Sequence, residues 1–135
     1  MGSVAQDLHS QTPLLVVPAR RSEYSLVVAT RGSPWVRIVE VAGSIDLCTA
    51  SELAKHLSAA LVEGIPVIVV VDLRRVEFLG AAGLSVLIAV DERARAQQIT
   101  LRVVAGTHAV CRALSVAGLD QTLNMYAALE PALAI

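Results

Sequence analysis

The sequence predicts an α/β fold: a mixed β-sheet of four to five strands with helices mainly on one face. Three observations predict it. The run Val67-Ile-Val-Val-Val71 is continuously apolar and mostly β-branched, which suits a strand covered on both faces. Helical apolar spacing stands on either side of it, at Leu53, Leu57, Ala60 and Leu61 before and from Leu84 onward after, so strand and helix alternate. Apolar residues make up 55% of the chain and aromatics only 3%, so the core is built from Val, Leu, Ile and Ala, as in a small layered fold.

At 135 residues the chain is long enough for one well-buried domain. Residues 1–18 read as an N-terminal tail able to add an edge strand through Leu14–Val17, and residues 19–135 as the single domain. Met1-Gly2-Ser3 reads equally as native or as an added leader. Tyr24–Thr30 and Val36–Val41 have strand composition, and Arg31-Gly-Ser-Pro34 between them is a turn, which makes a hairpin. Val36, Ile38 and Val41 alternate imperfectly with Arg37 and Glu40, as one covered and one partly open face requires. Gly43-Ser-Ile-Asp46 closes this strand.

Thr49 or Ser51 is placed to cap a helix over Ala50–Glu63, which packs by one stripe and turns Lys55, Ser58 and Glu63 elsewhere. Gly64 and Pro66 end it. After Val67–Val71, Asp72 ends the strand and fixes a turn, and Phe78-Leu79 returns the chain to apolar surroundings. Gly80-Ala-Ala-Gly83 turns tightly into a helix that runs to Gln98. Its first two turns, Leu84–Val90, are apolar in nearly every direction except Ser85, and Val86 and Val90 point away from Leu84 and Ile88. One of those pairs is therefore either partly exposed or sandwiched against a neighbouring helix. Ile99–Val104 is a strand interrupted by Arg102. His108–Val116 is a helix with Val110, Leu114 and Ala117 inward and Gly118 closing it. Leu119–Met125 is a short strand or loop, and Tyr126–Leu133 a small final helix.

The composition excludes several functions. Formal net charge is −1 with both signs interspersed, so no basic face addresses nucleic acid or an anionic membrane. No apolar run approaches the roughly 20 residues a membrane span needs, and no secretory leader pattern opens the chain. The expected location is the cytoplasm. Cys48 and Cys111 lack CxxC or CxxH spacing, and His9, His56 and His108 are scattered, so no metal site is expected. Phosphate-loop, dinucleotide, zinc-protease and nucleophile-elbow motifs are all missing, so the chain reads as no enzyme and as needing no cofactor.

The run Val69-Val-Val-Asp-Leu-Arg-Arg-Val-Glu-Phe-Leu-Gly-Ala-Ala-Gly-Leu-Ser-Val-Leu87 resembles the central motif of STAS domains, above all the bacterial anti-sigma factor antagonists (anti-anti-sigma factors). Val41-Ala-Gly-Ser-Ile-Asp-Leu47 is similar to that family's turn before its first helix, and Val110–Leu119 to its third helix with the following Gly-Leu. The similarity runs in matching order from about Tyr24 to the C-terminus. It implies the STAS fold, which agrees with the element order above. It further implies a binding protein that captures an anti-sigma factor, a protein kinase of the GHKL type, and so frees a sigma factor for transcription. The family's kinase silences its antagonist by phosphorylating a hydroxyl at the start of the second helix. A dianionic phosphate there alters both charge and fit.

Here the sequence departs from the family. Ala82 stands where the phosphorylated hydroxyl belongs, and Gly80 where an Asp is usual. Ser85 is the nearest substitute, roughly 300° further round the helix. The resemblance therefore implies an antagonist not controlled by phosphorylation at that position. The expected partner surface comprises Ser44, Asp46, Gly80, Ala81, Ala82, Gly83, Ser85 and Val86. For Ala81, Ala82 and Leu84 the plainer reading is tight helix–sheet packing, and Asp46 either caps the next helix, contacts a partner, or does both. Cys48 and Cys111, both near helix starts at one end of the sheet, are either a redox pair or small buried fillers. Alternative readings of the whole are a ligand-sensing STAS module, with an anion at the helix start, or a STAS subunit of a lipid-transport or stress-response complex. The expected assembly is a monomer or weak dimer.

Overall fold

Val36–Ile45 and Ile68–Leu79 pair in parallel along almost their whole length and form the spine of the sheet. The computed structural model describes residues 17–21, 26–62 and 66–134. In chain order the elements are β1 (Val17–Arg21), β2 (Leu26–Gly32), β3 (Val36–Ile45), α1 (Ala50–Val62), β4 (Ile68–Leu79), α2 (Ala81–Ala96), β5 (Thr100–Val104) and α3 (His108–Val116). A 3₁₀ turn (Leu119–Gln121), β6 (Asn124–Tyr126) and α4 (Leu129–Ala132) complete it. Among the described residues the sheet has six strands, against the four to five expected, in the order of the sequence, antiparallel from β1 to β3 and parallel from β3 to β6. The mixed sheet is the expected one, with β1 and the three-residue β6 as its short edges. Tyr24, Glu63 and Gly64 lie outside the described residues.

Helices α1, α2 and α3 cover one face. Leu53 and Leu57 of α1, Leu87 of α2 and Leu114 of α3 are fully buried against Val39, Val71 and Val103 of the sheet. Each such side chain contributes about 1.5–3 kcal/mol. Without it, helices of this length are marginal in water. The opposite face carries a smaller apolar group, Ile38, Ile68, Val70 and Val104, on which α4 packs through Leu129 and Ala132. None of the helices among the described residues is long and apolar enough to cross a membrane.

Several charged side chains behave differently from the sequence reading, for local reasons. Arg37 is not on an open face: it is 4% exposed on the helix side, with Nη1 3.5 Å from the Ala60 carbonyl near the end of α1. Carbonyls at a helix C-terminus attract a cation. Arg102 does not interrupt β5. It reaches across the second face, donates to the carbonyls of Ala132 and Ala134, and lies 5.4 Å from the Tyr126 ring centroid, tying the C-terminus down.

Asp72 does not end its strand either, because β4 continues to Leu79. Arg74 folds back onto it, with Nε 2.9 Å from Oδ1 and Nη2 2.8 Å from Oδ2, while the Arg74 amide donates to Oδ1 at 3.1 Å. A register shift against β3 in this stretch accommodates the arrangement. Further along, Ala117 is exposed rather than inward, since α3 stops at Val116 and the chain turns through Gly118 at φ +78°. The last helix is shorter than the periodicity suggested, and the Leu119–Met125 stretch splits into the 3₁₀ turn and the start of β6.

Burial alone raises the Asp72 pKa, but the hydrogen bonds from Arg74 and the positive charges of Arg74 and Arg31 outweigh it, leaving the carboxyl below its ordinary 3.8. A depressed folded pKa stabilises above the unfolded value and stops doing so as pH falls through the folded one. Asp72→Asn is expected to cost about 1–2 kcal/mol at neutral pH, less than a fully buried pair because Arg74 is half-exposed. Urea unfolding at a series of pH values checks this: the gap between variant and parent should be constant down to about pH 4 and close below it.

Candidate functional site

The head of α2 sits at the carboxyl end of the spine, where Ile45 and Leu79 form the last register pair of β3 and β4. The Gly80 amide donates to the Ile45 carbonyl at 2.8 Å, and the Gly80 carbonyl accepts from the Leu84 amide at 3.1 Å. The helix therefore begins at Ala81, so Ala81, Ala82 and Gly83 form its first turn rather than a loop before it. No side chain caps this end and no acidic residue stands in the first turn. Gly83 is buried, and a Cβ there would meet Ile45 Cγ2 at 2.5 Å and Leu79 Cδ1 at 2.6 Å. Only a residue without a side chain lets α2 approach the sheet this closely. As a result Ala81 and Ser85 face solvent, while Ala82, Leu84 and Val86 are half-buried. Of the two apolar pairs in α2, Leu84 and Ile88 are the more exposed; Ile88 is 38% exposed and Val90 is buried.

Beside this head, the end of β3 turns into α1 through a closed set of bonds. Asp46 Oδ1 accepts from the amides of Cys48 (2.9 Å) and Thr49 (3.1 Å). Thr49 Oγ1 donates to the Ser44 carbonyl at 2.8 Å and accepts from the Asp46 amide at 2.9 Å. Asp46 is thus a cap for the approach to α1, and Thr49, fully buried, joins the cap to the strand. Ser51 is exposed and takes no part in this cap. Gly43 and Ser44 are still within β3, opposite Val76 and Phe78, so the head of α2 and this turn share one edge of the molecule.

Sequence reasoning missed an apolar groove on the other side of the head. Strand β4 outruns β5, whose pairing stops at Asp72 and Val104. The loop before α3 covers the free stretch, with Thr107 Oγ1 donating to the Val76 carbonyl at 3.2 Å. Between α2 and α3 this leaves a hollow of about 450 Å³ whose lining includes Phe78, Leu84, Ala109, Arg112, Ala113 and Val116. Phe78 is 52% exposed and Val116 81%. The one signal available in the sequence was a second apolar stripe on α3, Ala109, Ala113 and Ala117, behind the inward pair Val110 and Leu114.

Nothing in the site resembles a reaction centre. A hollow of about 320 Å³ is lined by Glu40, Val41, Asp72, Arg74 and Arg75, but Asp72 is taken by Arg74 and Glu40 by Arg31 at 3.1 Å. Among the described residues no group of three or more His, Cys, Asp or Glu gathers as metal ligands. His56 lies 3.2 Å from Glu52, His108 is solvent-exposed, and His9 is outside the described residues. Cys48 and Cys111 are free thiols, both exposed, so the reading as buried fillers fails. They stand at the carboxyl ends of β3 and β5, on either side of β4.

Comparison with known proteins agrees with this architecture. The family model for the STAS domain matches residues 27–132. The anti-sigma-F factor antagonist RsfB of Mycobacterium tuberculosis is 33% identical over 109 residues, covering 81% of this chain and 88% of that protein. The crystal structure of an anti-sigma factor antagonist from Mycobacterium paratuberculosis superposes with a TM-score of 0.75 at 33% identity, covering 84% of this chain and 96% of the other. The anti-sigma factor antagonist SpoIIAA in its unphosphorylated form shares the fold, with a TM-score of 0.67 at 14% identity over 77% of this chain and 90% of that one.

Gly83→Ala is expected to destabilise the protein by about 1–2 kcal/mol, because overpacking against Ile45 and Leu79 outweighs the roughly 1 kcal/mol that alanine gains in a helix. Denaturant unfolding measures the loss, and amide chemical shifts at Ile45, Leu79 and Ala81 should report the displaced helix head.

Proposed function

The chain belongs to the STAS domain family, and from that premise we propose that it is an anti-sigma factor antagonist. It binds an anti-sigma factor of the protein-kinase type, releases the sigma factor held there and so regulates transcription, without catalysing a reaction. The relatives named as anti-sigma-F factor antagonists support this reading. The observation that carries it is the uncapped, apolar head of α2, with Ala81 exposed and Ala82 half-exposed at the molecule's edge.

The contact surface is Ser44 and Asp46 on one side and Gly80, Ala81, Ala82, Ser85 and Val86 on the other, with buried Gly83 setting their height. A partner that closes over this edge meets methyl groups and backbone amides. It works by excluding water from a small apolar patch whose geometry the sheet already fixes. The missing hydroxyl at Ala82 removes the covalent off-switch. Ser85 is exposed on the same side of α2 but roughly one turn further along, so a kinase aligned on residue 82 must shift by that turn to reach it. Binding is therefore constitutive with respect to phosphorylation at the head of α2.

Ala82→Glu tests the surface. A carboxylate in the first turn of α2 is favourable to the helix by about 0.3–1 kcal/mol, so the fold survives while a charge enters the contact. Calorimetry with the cognate kinase-type anti-sigma factor should show the parent binding and the variant weakened at least tenfold, about 1.4 kcal/mol. After incubation with that kinase and ATP, intact mass should be unchanged for the parent and carry one phosphate for Ala82→Ser. A stoichiometric adduct on the parent would end the phosphorylation-independent reading. A chain that ignores the anti-sigma factor but melts higher with nucleotides or acidic metabolites would be a ligand sensor instead.

A further inference from the structure

We propose that the groove between α2 and α3 receives one amphipathic helix of the partner protein, apolar on the face it buries and acidic opposite Arg112. This rests on the antagonist reading and names what docks beside the head of α2. The floor is made by Ala109 and Ala113, one helical turn apart on α3, with Ala117 just past the end of that helix, and the walls by Phe78, Leu84 and Val116. A ridge of larger side chains at helical spacing fits between such walls over a floor of methyl groups. Leu84 of the groove lies between Gly83 and Ser85 in the head of α2, so an occupant of the groove lies beside a partner resting on Ala81 and Ala82.

The charge selects the partner's chemistry. Among the described residues Arg112 is the one charged residue lining the groove. It is exposed, and among the described residues it makes no ion pair or side-chain hydrogen bond. Arg31 is engaged with Glu40, Arg74 with Asp72, Arg93 with Ser58, Arg95 with Asp91 and Arg102 with the C-terminal carbonyls, while Arg75, also without a partner among the described residues, lines the polar hollow beside Asp72 and not this groove. An unpaired guanidinium beside apolar walls favours a carboxylate at the rim and repels a basic segment.

Two synthetic helical peptides test this, with the same leucines at positions i, i+3, i+4 and i+7 and with Glu or Lys at identical flanking sites. Titrated into the isotopically labelled full chain, the acidic peptide should shift the amide signals of Leu84, Ala109, Ala113 and Val116. It should bind roughly fivefold tighter than the basic one. Arg112→Glu should reverse that order, and Ala113→Trp should abolish both interactions while signals remote from the groove stay in place; Ala117→Trp serves if Ala113→Trp does not fold. No binding, equal binding, or an order that Arg112→Glu leaves unchanged would overturn the proposal. So would two other outcomes in the free protein: signals of residues 1–16 moved by Ala113→Trp, which makes the chain's own N-terminal segment the occupant, or a dimer that Ala113→Trp dissociates, which makes it a second copy. The anti-sigma factor separates the two readings. Binding lost in Ala82→Glu but kept in Ala113→Trp and Arg112→Glu rejects the groove alone. A parent that binds no anti-sigma factor yet prefers the acidic peptide rejects the antagonist reading alone.

Discussion

The approach of Gly83 to Ile45 and Leu79 fixes the distance between α2 and the sheet, and most of the molecule's working edge follows from it. With no side chain at position 83 the helix settles directly on the last residue pair of the spine, and the Gly80 amide reaches the Ile45 carbonyl at 2.8 Å. That bond joins the end of one parallel strand to the start of the helix that leaves its neighbour. The turn into α1 is held to the same strand end by Thr49 and Asp46. Two helix starts are thereby referenced to one backbone segment, Ser44–Ile45, and cannot shift independently of it. Neighbouring side chains are presented at heights set by packing rather than by loop conformation, which is how a rigid scaffold gives a surface its precision.

The two faces of the sheet treat charge differently. On the side away from α1–α3, Asp72 meets Arg74, Glu40 meets Arg31, and Arg102 is spent on the C-terminal carbonyls. These pairs neutralise what would otherwise be costly charges on a half-covered sheet. The main core contains almost none, and its one intruder from β3, Arg37, is aimed at a carbonyl near the end of α1. The hollow between α2 and α3 differs from both: it is apolar, with Arg112 on its rim unpaired among the described residues.

Much of this was legible in the chain itself. The β-branched run Ile68–Val71 and the stripe Leu53, Leu57, Ala60 and Leu61 are strongly patterned segments that fold as they read, whereas Val67, read with the strand, stands just before it and is 43% exposed. The head of α2 was legible because two glycines flank two alanines at the end of a strand, although its first turn proved helical. Legibility failed where the partner a side chain finds decides. Asp72 looks like a strand end until Arg74 is seen to fold back on it within the same strand. Arg37 looks solvent-facing until Ala60 arrives from another element. The groove was invisible because its walls come from β4, α2 and α3, and because each stripe is unremarkable alone; only the overhang of β4 past β5 brings them together.

Ala81 and Ala82 have one further property. A methyl group on a helix has no torsion that matters, so whatever closes over it freezes nothing on this side of the contact. The two methyl groups keep one shape, and residue 82 offers no hydroxyl to carry a phosphate. Under the proposed antagonist function, abundance becomes the adjustable quantity: how fast the chain is made and destroyed sets how much capture takes place, and its lifetime becomes the clock.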